Sequence, residues 1–330
     1  MTSDINKASS RQVTNRIDVK WVNLIPYLTL FLLIIVTGIL QPKIFSLNWL
    51  GIKTDAVLTL ALATIGQTLV LLIGGIDLSL GGVISLTNSL AATKMADNLP
   101  SMVGISIAIL AMGAFLGAIN GIIIVKLRTQ PFIATLITWS IYGGIALWVL
   151  PTDGGNVPQR FISSLLARPA GIPVSLIIIA VIVALWLYLR RSPFVSSVIA
   201  LGSNERSAYL LGININLVKI QVYALSGFFA ASAGLYRTAL VSSGSPTAGN
   251  GFILISVAAA VIGGTSLAGG KGSIVGSIIG AFILKLISDL LIFAGISSYW
   301  SALFQGLLLI IIIAAVSITE LVKRQEEIKR

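Results

Sequence analysis

The chain has 330 residues, 56% hydrophobic and only 10% charged, with a mean hydropathy of +0.99 and a formal net charge of +11. A soluble domain carries about 25% charged residues, so most of this surface must face lipid. The absence of Cys and His excludes thiol chemistry, disulfides and the usual zinc or copper sites, and 11 acidic residues leave few carboxylate metal sites, so no metal is expected.

A membrane-spanning helix needs about 20 mainly apolar residues. In chain order, residues 1–21 read as a cytoplasmic tail, and the run from Trp21 to Leu40 is long enough to be a true span rather than a cleaved signal. Ten spans are expected: 22–40, 56–73, 79–94, 101–125, 131–150, 173–189, 217–241, 251–267, 272–294 and 297–318. Gln41-Pro42, Gln130-Pro131 and Pro151 mark helix boundaries. The stretch from Thr152 to Pro173 is a loop. GGIDLSLGG (74–82) and GGTSLAGGKG (263–272) interrupt over-long apolar runs, and residues 319–330 form a second cytoplasmic tail. The expected fold is therefore an all-α polytopic membrane protein, with residues 22–318 as one transmembrane domain.

Orientation follows from Lys and Arg. With the N-terminus in the cytoplasm, 15 of the 22 basic residues fall on that side, five, including Lys53 and Arg168, fall in outer loops, and Arg237 and Lys285 lie within spans. That is a positive-inside pattern, and it accounts for the net charge without nucleic acid. Ten spans place both termini in the cytoplasm and make residues 190–216 the largest internal cytoplasmic loop. GGIDL and GGTSL start 189 residues apart in similarly oriented surroundings, which suggests a parallel internal repeat.

That loop holds a polar island, SNERSAYLLG (203–212). Ser203 or Asn204 can cap a helix, Glu205 suits the dipole of its first turn, and Gly212 can close it in the left-handed conformation. Ala208 and Leu211, three apart, are expected on one face. A free helix of two turns is unstable in water, so it packs either on its own chain or on a partner.

Polar groups within spans face the bundle interior or water. Gln67, Asn88, Asn120, Thr135, Thr138, Trp139, Tyr142 and Asn250 either line a solute pathway or bond neighbouring helices. Asp77, after Gly74 and Gly75, can cap the helix beginning near Ser79 or serve as a gate in a broken helix. Lys285 and Asp289, four apart in a span, can neutralise each other or form a polar site on the pathway. Arg237 can reach the interface with its long stem.

Four segments in order, GGIDLSLG, TQPFIATL, the run from Arg191 to Leu235 and AAAVIGGTSLAGGKGSIVGSIIGAFIL, resemble the permeases of bacterial ATP-binding cassette (ABC) importers of the ribose, xylose and galactose class. The resemblance covers most of residues 55–315. It implies a coupling helix at Ser203–Gly212, with Ser203, Asn204, Glu205, Ala208, Tyr209, Leu211 and Gly212 as contacts to a cytoplasmic ATPase. It implies a second permease subunit, an extracytoplasmic solute-binding protein and a location in the bacterial inner membrane, among membrane lipid. ATP and Mg would be bound by the ATPase partner and no cofactor by this chain, which has no GxxxxGK[ST] loop and is not expected to be an enzyme.

The substrate implied is a small sugar or polyol. Alternatives are a nucleoside, branched-chain amino acid or signalling-furanose importer of the same superfamily, or an ion-coupled transporter using Lys285 and Asp289. Two departures from the resemblance stand out. Ile253 and Ile255 occupy positions where acids are common, and the Lys285–Asp289 pair is unusual.

Overall fold

The computed structural model describes residues 24–40 and 46–296, together with Trp300, Leu303, Gly306 and Leu307. The α-helices are α1 (Ile25–Leu40), α2 (Leu47–Leu72), α3 (Ser79–Lys94), α4 (Leu99–Leu127), α5 (Pro131–Val149), α6 (Gln159–Leu165), α7 (Val174–Leu189), α8 (Pro193–Ser203), α9 (Glu205–Leu210), α10 (Ile215–Val241), α11 (Phe252–Ile262) and α12 (Ile274–Phe293). Among the described residues the one β feature is an isolated bridge between Gly154 and Gly244.

The helices start where the sequence supplies a cap or a proline. Ser46, Asn98 and Asn214 accept from the backbone N–H three residues on, at 3.1, 2.9 and 3.1 Å, satisfying donors that an N-terminus otherwise leaves free. Pro131 and Pro193 open α5 and α8, where a missing N–H costs nothing.

Helix α2 is the axis of the bundle and is buried almost continuously from Thr54 to Leu72. Around it pack α10, α11, α12 and α7. The most extensive packing beside it is that of α4 on α10, and glycines permit it. A Cβ on Gly113 would come 2.5 Å from the Gly227 carbonyl oxygen, one on Gly117 would overlap the Tyr223 carbonyl oxygen, and one on Gly121 would come 2.6 Å from the Ile220 Cα. Three glycines at intervals of four thus let two backbones touch, the small-residue packing typical of membrane helices.

Five helices, α2, α4, α5, α10 and α12, are long and apolar enough to cross a membrane. A sixth candidate is the pair formed by the α6 region and α7, bent by 82°. The sequence reading expected nine full spans over this region. The shortfall lies in short helices. At about 1.5 Å per residue, α11 with 11 residues reaches about 16 Å, roughly half of a ~30 Å hydrocarbon core, and α1 and α3 have 16 residues each. Apart from Trp300, Leu303, Gly306 and Leu307, the expected tenth span lies outside the described residues, as do both tails.

The start of the second span is corrected too. Helix α2 begins at Leu47 rather than near 56, so Lys53 is not in an outer loop but inside a helix, with its side chain 13% exposed. The two glycine motifs do both form helix breaks, with Gly74 and Gly264 at positive φ. The helices before them differ in length, α2 with 26 residues and α11 with 11.

Candidate functional site

The polar island folds as a self-contained corner. Asn204 ends α8, where its N–H donates to the Ala200 carbonyl at 3.1 Å, and starts α9, where its Oδ1 accepts from Ser207 N–H at 2.8 Å. Asn204 is therefore the cap. Ser203 is the last residue of α8, and its hydroxyl donates back to the Ile199 carbonyl at 2.8 Å. Gly212, at φ +78°, donates to the Tyr209 carbonyl at 2.9 Å, and Ile213 N–H to the Ala208 carbonyl at 3.2 Å, the paired bonds of a Schellman ending. Helix α9 covers Glu205–Leu210, shorter at each end than the expected 203–212.

Ala208 and Leu211 do not share a face. Ala208 is 1% exposed and anchors the corner, whereas Tyr209, Leu210 and Leu211 are 70–77% exposed. Leu211 already lies past the last helical turn, so the spacing of three no longer aligns it with Ala208. Leu210, which the sequence reading passed over, is the most exposed of the three. Glu205 is held by Lys219 of α10, whose ammonium donates at 2.8 and 3.0 Å.

The base of this corner is joined to both helix breaks. A Cβ on Gly202 would overlap the Leu72 carbonyl oxygen at the end of α2 and come 2.6 Å from the Gly270 nitrogen. Gly270 N–H donates to that same Leu72 carbonyl at 2.9 Å. A Cβ on Gly269, at φ +88°, would meet the Gly202 carbonyl oxygen at 2.8 Å and the Gly74 nitrogen at 2.9 Å. Three segments far apart in sequence therefore meet backbone to backbone.

The first break is bound by a buried polar network. Asp77, 1% exposed, accepts from Ser79 N–H at 3.0 Å and Ser79 Oγ at 2.5 Å, and its other oxygen accepts from Ser226 Oγ at 2.7 Å. It thus satisfies the start of α3. Ser79 Oγ in turn accepts from Asn120 Nδ2 at 2.7 Å. With its amide set by the network, Gln67 donates to the Asp77 carbonyl at 2.9 Å and accepts from the Asp77 N–H at 3.2 Å. Thr135 Oγ1 accepts from Leu78 N–H at 3.1 Å and reaches the Ile76 carbonyl at 3.2 Å. Gly75 leaves room for the Tyr223 hydroxyl, which a Cβ there would meet at 2.7 Å. Irregular backbone at membrane depth is tolerated only where other groups satisfy it, and these side chains do so.

The remaining polar candidates separate into two kinds. Asn88 is buried and ties down the turn after α10, donating to Thr238 Oγ1 at 2.8 Å and accepting from Ser245 N–H at 2.5 Å. Thr138 bonds carbonyls of its own helix at 3.2 Å, and buried Tyr142 donates to the Leu116 carbonyl at 3.2 Å. Asn250 instead lies exposed on the surface and Trp139 half-buried beside it, with the indole N–H donating to the Asn250 amide oxygen at 3.3 Å.

Residues 54–313 match the family described as branched-chain amino acid transport system / permease component. The chain belongs to this permease family. The permease is 37% identical over 292 residues to the ribose import permease protein RbsC of Escherichia coli strain K12, covering 86% of this chain and 90% of that one. It is 38% identical over 298 residues to the ribose import permease of Haemophilus influenzae, covering 88% and 91%. It is 33% identical over 308 residues to the D-allose transport system permease protein of E. coli, covering 90% and 92%. No solved structure matches.

Two charged clusters complete the permease. The Lys285–Asp289 pair forms at 3.0 Å, and Lys53 of α2 joins it at 2.5 Å on the other carboxylate oxygen. One buried carboxylate thus lies between two ammonium groups. The sequence reading missed Lys53 because it took that residue for a loop. It also missed Asp55, which accepts from Ser175 Oγ at 2.5 Å and Tyr236 OH at 2.9 Å, with Arg168 at 3.6 Å. An acid one residue before an expected span was the available signal. Arg237 lies over the Phe252 ring at 5.4 Å. Ile253 packs onto Gly81, where a Cβ would meet its Cδ1 at 2.7 Å, so its apolar character serves a helix contact.

Proposed function

We propose that this permease is the membrane-spanning subunit of an ABC importer that carries a small sugar or polyol inward across a bacterial inner membrane. The relatives named as ribose and D-allose permeases support the solute class. The observation that carries the mechanism is the corner at 204–212. It presents Tyr209, Leu210 and Leu211 outward, as a surface for a cytoplasmic ATPase subunit, while Gly202 at its base touches both helix breaks. ATP and Mg are held by that partner, and no covalent chemistry occurs in this chain. Its own work is to transmit displacement of α9 through Gly202, Leu72 and Gly270 to the ends of α2, α3 and α12.

Solute would be handed over by an extracytoplasmic binding protein and pass along a face shared with a second permease subunit. Of the polar candidates, Trp139 and Asn250 are best suited to meet it, since Asn250 is exposed, Trp139 is only half-buried, and together they offer an aromatic face and an amide. Gln67, Asn120 and Thr135 hold the first break, so they would act on the pathway by shaping it. An ion-coupled transporter built on Lys285 and Asp289 is less suited to the geometry, because Asp289 is already paired with two lysines.

The test is purification of the tagged full-length chain in mild detergent, with co-purifying ATPase activity as readout, beside uptake of labelled ribose, D-allose and leucine by cells. Leu211→Asp should lose the ATPase while the protein stays folded. Trp139→Ala should keep the ATPase and lower uptake at least several-fold. An unaltered yield of ATPase with Leu210→Asp/Leu211→Asp would overturn the coupling role, and leucine uptake in preference to both sugars would overturn the solute class.

A further inference from the structure

A cleft of about 500 Å³ separates α7 from the body of the bundle. One wall follows α7 from Ile178 through Ile182, Leu185 and Trp186 to Leu189, and the facing wall follows α10 from Leu225 to Tyr236. Each wall spans 12 residues, about 18 Å at the rise of an α-helix, close to one leaflet of a ~30 Å hydrocarbon core. The lining is almost wholly apolar. Its polar members include Ser232, whose hydroxyl donates to the Phe228 carbonyl at 2.8 Å, and Tyr236, whose hydroxyl donates to Asp55. Those two hydroxyls are occupied and Ser106 alone of the lining hydroxyls is left to meet a polar ligand, so the cleft is poorly suited to a sugar and well suited to a hydrocarbon chain. It opens sideways, where Leu185, Leu189 and Phe228 are 36–52% exposed.

One end of the cleft is charged. Leu189, Phe194 and Val195 all line it, and the turn between them carries Arg190 and Arg191, both exposed. Neither guanidinium makes a hydrogen bond or ion pair with another described residue. Long apolar walls ending at two cations that are unpaired among the described residues complement a molecule with an acyl chain and an anionic head. We propose that an anionic phospholipid occupies this cleft, with one acyl chain between α7 and α10 and its phosphate at Arg190 and Arg191. Basic groups at the edge of a cleft between membrane helices are suited to such headgroups, and the lipid would fill the space that keeps α7 apart from α10.

The test is native mass spectrometry of the full-length permease, delipidated and then supplied with phosphatidylglycerol or phosphatidylcholine of the same acyl composition. Wild type should retain one phosphatidylglycerol at least fivefold better than phosphatidylcholine. Arg190→Gln/Arg191→Gln should abolish that preference. Ser232→Phe, which fills the cleft, should lower retention of both lipids at least fivefold, while Ile177→Phe on the exposed side of α7 should behave as wild type. If Ser232→Phe fails to fold, Ser106→Leu in the same lining replaces it with the same expectation. Inorganic phosphate in excess should leave the lipid bound. Equal retention of the two lipids by wild type, full retention by the filled variant, displacement by phosphate alone, or a co-purifying protein that the filled variant sheds would each overturn the proposal.

Discussion

Gly202 lies against the carbonyl oxygen of Leu72 so closely that any side chain there would overlap it. Leu72 is the last residue of the buried axis helix α2, and Gly202 is the penultimate residue of α8. The corner that faces outward is therefore in rigid contact with the centre of the bundle. Gly202→Ala should force that contact apart. Overpacking of this kind costs about 1–3 kcal/mol, which should appear as a lower midpoint of thermal unfolding in detergent together with loss of uptake. Gly143→Ala is the control, since nothing lies within 4 Å of its Cβ position, and it should change neither.

Asp289 holds two lysines, and that asymmetry predicts an order of effects. Removing one partner of a buried ion pair costs about 3–5 kcal/mol because the other charge is left without compensation. Asp289→Asn strands both Lys53 and Lys285, so it should be the most destabilising single change. Lys285→Met leaves the bond from Lys53, and Lys53→Met leaves that from Lys285. Lys285 has the more exposed side chain, 32% against 13%, so Lys285→Met should be the mildest of the three. Thermal unfolding of the three variants checks the order; a mild Asp289→Asn would mean that the ammonium groups find water instead.

Much of this molecule was legible in the sequence, and the limits have physical causes. Apolar runs and their prolines located the helices, and the cap, dipole residue and glycine of the polar island described a real corner with the correct ending at Gly212. Hydropathy does not measure where a helix stops within an apolar run, so α11 read as a full span although it ends at Ile262. Composition also cannot tell a polar residue that faces a pathway from one that satisfies broken backbone. Gln67, Asn120 and Thr135 proved to be partners of residues 76–79, and only the fold brings those positions together. Lys53 was misplaced because a charge near the start of a span looks like a loop residue until its partner 236 positions later is known.

The Glu205–Lys219 pair should matter little to stability. Glu205 has 58% of its side chain exposed, and an exposed ion pair contributes about 0–1 kcal/mol. Glu205→Gln should leave the thermal midpoint unchanged within error and be insensitive to added salt. A large destabilisation would mean that α9 is fixed to α10 chiefly by charge rather than by burial of Ala208.

Tyr223 and Ser226 stand one turn apart on α10 beside the same helix break, and they should respond in opposite directions. The Tyr223 hydroxyl is buried without a hydrogen-bond partner among the described residues, and an unpaired buried polar group costs about 1–3 kcal/mol. Tyr223→Phe removes that group, keeps the ring and should leave stability unchanged or raise it. Ser226 donates to Asp77 at 2.7 Å. Ser226→Ala strands a carboxylate oxygen in a site that is 1% exposed and should lower the thermal midpoint by the equivalent of about 1–3 kcal/mol. Thermal unfolding of the two variants, each measured against wild type in the same detergent, checks the pair. Destabilisation by Tyr223→Phe would show that the hydroxyl bonds a water held against Gly75, and the break would then be hydrated rather than dry.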